Sequence, residues 1–213
     1  YSSNGSINST SGYFDSTSAN AYQVNATVGS VVNTTSIAVT PNAIASISLT
    51  PVDSTITAGV NQSFTAVGYD AFNNVNNTGI AFSSNGSINS TGYFNSTANG
   101  IYSVSASDAG TGVSNTTSIL ILPDVVTSIQ LTPVDSTINA GVNQSFTALG
   151  FDVWGNGNNT GIEFNSTGSI NLNTGYFDST LAGVYSVTAY DAGTLTSATT
   201  SITVIAADIS RID

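Results

Sequence analysis

The sequence predicts an all-β protein made of tandem β-sandwiches, and three observations carry that prediction. One pattern is written three times with a period of about 82 residues, and self-similarity at such a period marks an array of like modules. Within each copy apolar residues alternate with polar ones, the two-residue period of a half-buried strand, and no stretch shows a helical stripe. Hydrophobic residues make up 40% of the chain and aromatics 9%, enough for packed cores despite the abundance of Ser, Thr, Asn and Gly.

The copies open at Gly5, Gly86 and Gly168 with a Gly-Ser-Ile tag. Gly12-Tyr13-Phe14, Gly92-Tyr93-Phe94 and Gly175-Tyr176-Phe177 follow, and then Tyr22, Tyr102 and Tyr185. A second block, Leu49 to Ile56 and Leu131 to Ile138, precedes only the later two copies. The expected modules are therefore a partial one over residues 1–41, complete ones over 42–123 and 124–206, and a terminal strand over 207–213. The junctions fall near Pro41-Asn42 and Pro123-Asp124, where Pro cannot continue a ladder and stiffens the connection. Short, stiff junctions predict a semi-rigid rod.

In the module 42–123 the strand signals come in order. Ile47 and Leu49 alternate before Pro51, and Phe64, Ala66 and Gly68 alternate with Thr65, Val67 and Tyr69. Ile80 and Phe82 follow, then Ile88, Tyr93 and Phe94, the long run Ile101 to Ala106, and Ile119 to Leu122. Turn clusters such as Asp70-Ala71-Phe72-Asn73-Asn74 and Asp108-Ala109-Gly110-Thr111-Gly112 separate them, because Asn, Asp and Gly tolerate left-handed backbone. About seven short strands in such a length is the count of an immunoglobulin-like sandwich.

The run Phe64 to Asp70, the tag Gly86-Ser87-Ile88 with Gly92-Tyr93-Phe94, and the strand Gly100 to Ala106 together resemble the bacterial and archaeal Ig-like (BIG-type) repeats of surface proteins. Phe146 to Asp152, Gly168 to Ile170, Gly175 to Phe177 and Gly183 to Ala189 repeat the match, whereas the first copy matches only its second half. The resemblance implies a fold and a cell-surface, extracellular location, with an archaeal source expected. It implies no catalytic residue, since such repeats are scaffolds. Tyr102 and Tyr185 stand as in a tyrosine corner, so each is expected to be buried with its hydroxyl bonded to nearby backbone.

Composition removes most chemistry. Arg211 is the one basic residue against twelve acidic ones, with no His, Cys or Met. A net charge of -11 is repelled by phosphate, so no nucleic-acid partner is expected. Without imidazole or thiol there is no zinc, haem or iron-sulfur site and no disulfide, and no metal or cofactor is expected. No apolar stretch is long enough for a membrane-spanning helix. In a medium below the carboxyl pKa values near 4 the chain would be almost neutral, which fits an acidic habitat; a secreted Ser/Thr-rich stalk has the same composition.

Four candidate chemistries remain. Thirteen Asn residues head N-x-S/T sequons: Asn4, Asn8, Asn25, Asn33, Asn61, Asn76, Asn85, Asn89, Asn95, Asn115, Asn143, Asn158 and Asn165. N-glycans there would add solubilising bulk to a weakly charged surface, with Asn76 and Asn158, in turns, expected among the accessible ones. Asp70 with Asn73 and Asn74, or Asp152 with Asn156, offers oxygens to calcium, although ordinary turn chemistry demands the same residues. Glu163, the single Glu, is replaced by Ala81 in the preceding copy, so no enzyme with a paired-carboxylate site is expected. Trp154, in the place of Phe72, is set to stack on sugar or on a neighbour, or to cap a sandwich edge.

The expected function is a structural subunit of an extracellular filament, sheath or surface layer, N-glycosylated and partnered by copies of itself in a head-to-tail polymer. The alternatives are the stalk of a cell-surface adhesin and a carbohydrate-binding module. Assembly would proceed by donor-strand complementation. The strand carrying Ile209 and Ile212 would pair with an open edge exposing Tyr13, Phe14, Tyr22 and Ile37 in the incomplete module. Either that module is a reduced fold, or the chain is a window cut from a longer array.

Overall fold

The computed structural model describes residues 1–207, and every regular element among them is a strand. The first repeat holds β1 (Ser2–Ser3), β2 (Ser6–Ile7), β3 (Phe14–Asp15), β4 (Asn20–Val28) and β5 (Val31–Val39). The second holds β6 (Ser46–Thr50), β7 (Ser54–Thr57), β8 (Asn61–Ser63), β9 (Thr65–Tyr69), β10 (Ile80–Ser84), β11 (Ser87–Ile88), β12 (Tyr93–Asn95), β13 (Gly100–Asp108) and β14 (Ser114–Leu122). The third repeats that order as β15 (Ser128–Thr132), β16 (Ser136–Asn139), β17 (Gln144–Ser145), β18 (Thr147–Phe151), β19 (Ile162–Ser166), β20 (Ser169–Ile170), β21 (Tyr176–Asp178), β22 (Gly183–Asp191) and β23 (Ser197–Ile205).

The third repeat is a two-layer sandwich. One layer is the sheet β16-β23-β22-β19, in which β16 runs parallel to β23 and the other pairs are antiparallel. The other layer comprises β15 with β18 and β17-β21-β20. Alternation along the strands sends Phe146, Phe177, Val187, Ala189, Ile202 and Val204 into one core. Phe177 is fully buried, so its truncation to Ala is expected to cost about 3 to 5 kcal/mol. The second repeat shows the same order, β10-β13-β14-β7 against β6-β9 and β11-β12-β8.

The first repeat contains only the strands β1-β4-β5 and β2-β3. Its β4–β5 hairpin pairs over its full length, yet β1 covers β4 only at Val24 and Asn25. In the second repeat the equivalent pairing, β10 on β13, runs over five residues from Ile80 to Ser84. Phe14 and Tyr22 are not the exposed edge residues the sequence suggested. Their rings pack together at 5.1 Å, and Tyr22 is buried while Phe14 and Ile37 are half-buried. Tyr13 is exposed as expected, and Val28, Val31 and Val32 are exposed with it.

By compactness the described chain forms two units. One comprises Tyr1–Thr55, Asn61–Asn95 and Ile101–Leu120; the other comprises Ile56–Val60, Ser96–Gly100 and the described residues from Ile121 onward. Two short segments of the second repeat and the last residues of β14 thus cluster with the third. Asn156 of the third repeat bonds to Thr97 and Asn99 in one of those segments.

Candidate functional site

The feature built with most care is the turn after β9 and its copy after β18. In the first of these, Asn73 N–H donates to Asp70 O at 3.1 Å and Asp70 N–H to Asn74 O at 3.0 Å. The Asp70 side chain turns inward and is buried. One carboxylate oxygen accepts the Phe72 and Asn74 amides at 2.8 and 2.9 Å. The other accepts the linker amide of Asn42 at 2.9 Å and the Asn74 side-chain amide at 2.8 Å. The second hydrogen of that amide goes to Thr17 O at 2.8 Å, and Asn74 Oδ1 accepts Ala19 N–H at 2.8 Å. Asn74 is thereby fully used: the carboxylate fixes its orientation and its outer face holds a loop of the preceding repeat.

The copy after β18 has the same bonds. Asp152 accepts the Trp154 and Asn156 amides at 2.9 Å each, the Asp124 amide at 3.0 Å and the Asn156 side-chain amide at 2.7 Å. Asn156 then donates to Thr97 O at 2.8 Å and accepts Asn99 N–H at 2.9 Å. The linker is tied a second time, by Asn76 donating to Asn42 O and Asn158 donating to Asp124 O, both at 2.9 Å.

The receiving loop is shaped by its own repeat. Ser16 Oγ donates to Ser18 O at 3.2 Å and Tyr22 Oη donates to the same carbonyl at 2.9 Å. In the third repeat Ser179 donates to Leu181 O at 3.1 Å and Tyr185 to Leu181 O at 2.9 Å. The local bond expected of Tyr185 is present, but Tyr102 and Tyr185 are half-buried rather than buried. Their rings lie at the end of the sandwich, packed on Phe94 and Phe177 at 5.6 and 5.5 Å.

Electrostatics follow from these contacts. Burial pushes the Asp70 carboxyl up, but the hydrogen bonds from the Asn74 side chain and from the Asn42, Asn74 and Phe72 amides outweigh it and lower the pKa to about 2. Asp152 is lowered by the same balance, burial against the Asn156 side chain and the Asp124, Asn156 and Trp154 amides. Asp108 is lowered chiefly by the Thr111 hydroxyl, against burial, with help from the Thr111 and Gly110 amides. These oxygens face N–H and O–H donors, so the Asp-Asn turns are arranged to hold an anion's charge rather than to cage calcium. Among the described residues no group of three or more acidic side chains comes together.

No family model and no curated protein matches the chain. Among solved structures it is similar to the Escherichia coli adhesin FdeC, with a TM-score of 0.52 at 16% identity over 88% of this chain and 74% of that one. The protocadherin GammaB4 extracellular domain aligns at 0.47 and 12% identity, over 88% and 39%. The S-layer protein rSbsC aligns at 0.39 and 16% identity, over 96% of this chain and 34% of that one, so the chain spans about a third of its length. With the sheet order above, the likeness at 0.52 settles the architecture. The second and third repeats are immunoglobulin-like sandwiches.

The other residues singled out in the sequence fall into place around these Ig-like repeats. Ten of the thirteen sequon asparagines are exposed, and Asn25, Asn76 and Asn158 are half-buried. Asn76 and Asn158 are not the accessible pair they were expected to be, because their side-chain amides tie down the linkers. Asn115 is exposed, yet its amide donates to Ile47 O at 2.9 Å. Glu163 accepts a hydrogen bond from Tyr190 Oη at 2.8 Å, which together with burial and the Glu163 charge raises the Tyr190 pKa. Trp154 lies over Gly59, so close that a methyl group built there would fall 2.3 Å from its Cη2. Ile209 and Ile212 lie outside the described residues. No helix is long and apolar enough to cross a membrane, which says nothing of a β-barrel.

Sequence reasoning took Asp70 and Asn74 for turn residues. The missed signal is the recurrence of Asp-x-aromatic-x-Asn at the repeat period, Asp70-Ala71-Phe72-Asn73-Asn74 and Asp152-Val153-Trp154-Gly155-Asn156.

Proposed function

We propose that the chain is a non-catalytic, load-bearing segment of an extracellular surface protein, in which each Ig-like repeat is locked to the one before it and the exposed asparagines carry N-glycans. The observation that carries this reading is the joint, formed twice with the same set of hydrogen bonds. A turn that needed only to reverse the chain would not bury a carboxylate, nor spend an Asn side chain on a loop 55 to 59 residues away. The fold likeness to an adhesin supports a surface setting. Peptide mass spectrometry of native material tests the sugar coat: glycans are expected among the ten exposed sequons and absent from Asn76 and Asn158. Thirteen unmodified asparagines would contradict it.

A second reading is favoured by one specific observation. In the third repeat β16 adds in parallel to β23 at Ser136 to Asn139, whereas β5, the counterpart of β23, has β4 as its one partner among the described residues. That edge is open to strand addition from another copy. The segment 208–213 aligns with the start of the third repeat's first strand, and that strand, β15, pairs with β18, which has no counterpart in the first repeat. A donor on β5 would therefore take the place of β16 rather than β15. Electron microscopy of the purified chain and of a chain lacking 207–213 separates the cases. Filaments from the intact chain alone support strand addition; filaments from both assign assembly to another surface. Monomers from both leave a stalk that holds a binding domain.

A further inference from the structure

We propose that the far end of the third repeat is a preformed, unfilled seat for a following Ig-like repeat carrying an Asp-x-aromatic-x-Asn turn, joined through the same polypeptide. This rests on the locked-array reading and goes beyond it by naming the docking surface and the partner's chemistry.

The filled version is visible at the second repeat. Gly59 N–H donates to Ser96 O at 2.9 Å, setting a glycine with φ 80° beside the loop 96–100. Trp154 covers that glycine while Asn156 takes Thr97 O and Asn99 N–H. In the third repeat every receiving part recurs. Gly141 N–H donates to Ser179 O at 2.9 Å with φ 81°. Ala140 N–H donates to Ile205 O at 2.8 Å, as Ala58 N–H does to Leu122 O. Ser179 and Tyr185 hold the loop by the bonds that Ser16 and Tyr22 make in the docked loop of the first repeat. The contents of the seat differ. Nothing lies within 4 Å of a methyl group built on Gly141, and no hydrogen bond among the described residues reaches Thr180 O or Ala182 N–H, the counterparts of Thr97 O and Asn99 N–H.

The loop thus holds its docked shape with none of the described residues docked on it, and Leu181 beside it is 72% exposed. Such preorganisation lowers the ordering cost of binding. The partner is a covalently following repeat because the clamp binds two things at once. Asp152 accepts the linker amide of Asp124, two residues past the end of β14, while its Asn156 holds the preceding loop. A turn offered by a second copy is unsuited, since both turns of this chain already hold their own preceding repeats.

The test appends a copy of residues 123–206 after Ile205 and follows amide hydrogen exchange. An extension with the turn intact is expected to slow exchange at Ala182 by at least about tenfold. An extension whose copies of Trp154 and Asn156 are changed to Ala should leave that rate unchanged. Equal rates at Ala182 in both extended chains would overturn the proposal, as would protection that appears in the unextended chain and grows with its concentration. Asn99 N–H is the internal control. If it stays protected while Ala182 does not, the seat alone fails; if it too is unprotected, the locked-array reading fails with it.

Discussion

The two joints share a polar clamp and differ in their aromatic. Phe72 and Trp154 occupy the same place in the turn, and both are partly exposed, at 55% and 43%. Trp154 has Gly59 to lie on, because the second repeat has the turn between β7 and β8 that carries it. The first repeat has no counterpart of that turn, and Phe72 has no such seat. The clamp is therefore sufficient to make a joint, while the aromatic seat is an addition that only a complete sandwich can offer. The clamp needs nothing but the loop before the long strand, which the tyrosine hydroxyl holds in the first and third repeats.

Breaking the carboxylate should have the largest effect. Asp152→Ala leaves four N–H donors without an acceptor, and the second joint is expected to open outright, with Asn99 exchanging as fast as Ala182. The same change at Asp70 should free Ala19 and leave Asn99 protected. Acidification should reach the same end. The Asp70 pKa lies below its unfolded value, so its contribution is complete above the unfolded carboxyl pKa near 4 and is lost as pH falls toward about 2. Asp152 is shifted in the same direction. Protection of Ala19 and Asn99 flat from pH 7 to 4 and falling below that would agree; loss near pH 6 would not.

Asn74→Ala and Asn156→Ala each remove three side-chain hydrogen bonds, and each is expected to cost about 2 to 3 kcal/mol in urea melts. Because the two clamps are alike, the costs should agree to within about 0.5 kcal/mol. A much larger loss at Asn156 would mean that the aromatic and the clamp are coupled. Gly59→Ala and Gly141→Ala sharpen the contrast further. Both suffer the positive φ, but only the first drives a methyl group into Trp154, so its cost should be the greater by about 1 to 2 kcal/mol. The smallest effects are expected at the aromatics, about 1 to 1.5 kcal/mol for Trp154→Ala and about half that for Phe72→Ala.

Much of the fold was legible because its signals are local. Ile47 and Leu49 alternate into a core, and the Gly-Tyr-Phe tags place Phe94 and Phe177 at zero exposure. The first repeat was read as incomplete from the missing Leu-Thr-Pro-Val-Asp block. Its open face was misjudged, because alternation cannot say that Phe14 and Tyr22 pack on each other, as Phe94 with Tyr102 and Phe177 with Tyr185 do in the complete repeats. Asn76 and Asn158 were misread as accessible for a related reason: a turn residue is exposed by default, and what buries these is a linker carbonyl 34 residues away. The joint was illegible in any single copy. Asp70 and Asn74 satisfy every rule of a turn, and the partner that gives Asn74 its second role lies in another repeat. The chain also reaches neutrality later in acid than its composition suggests, since hydrogen bonds hold the Asp70, Asp108 and Asp152 carboxyls below the ordinary carboxyl range.

The most direct test of the clamp is amide hydrogen exchange on the unmodified chain, comparing three equivalent positions in one sample. Ala19 and Asn99 donate to the clamps of the repeats that follow them, and Ala182 has no such partner among the described residues. The account predicts that the first two exchange at least about tenfold more slowly than Ala182; three equal rates would contradict it.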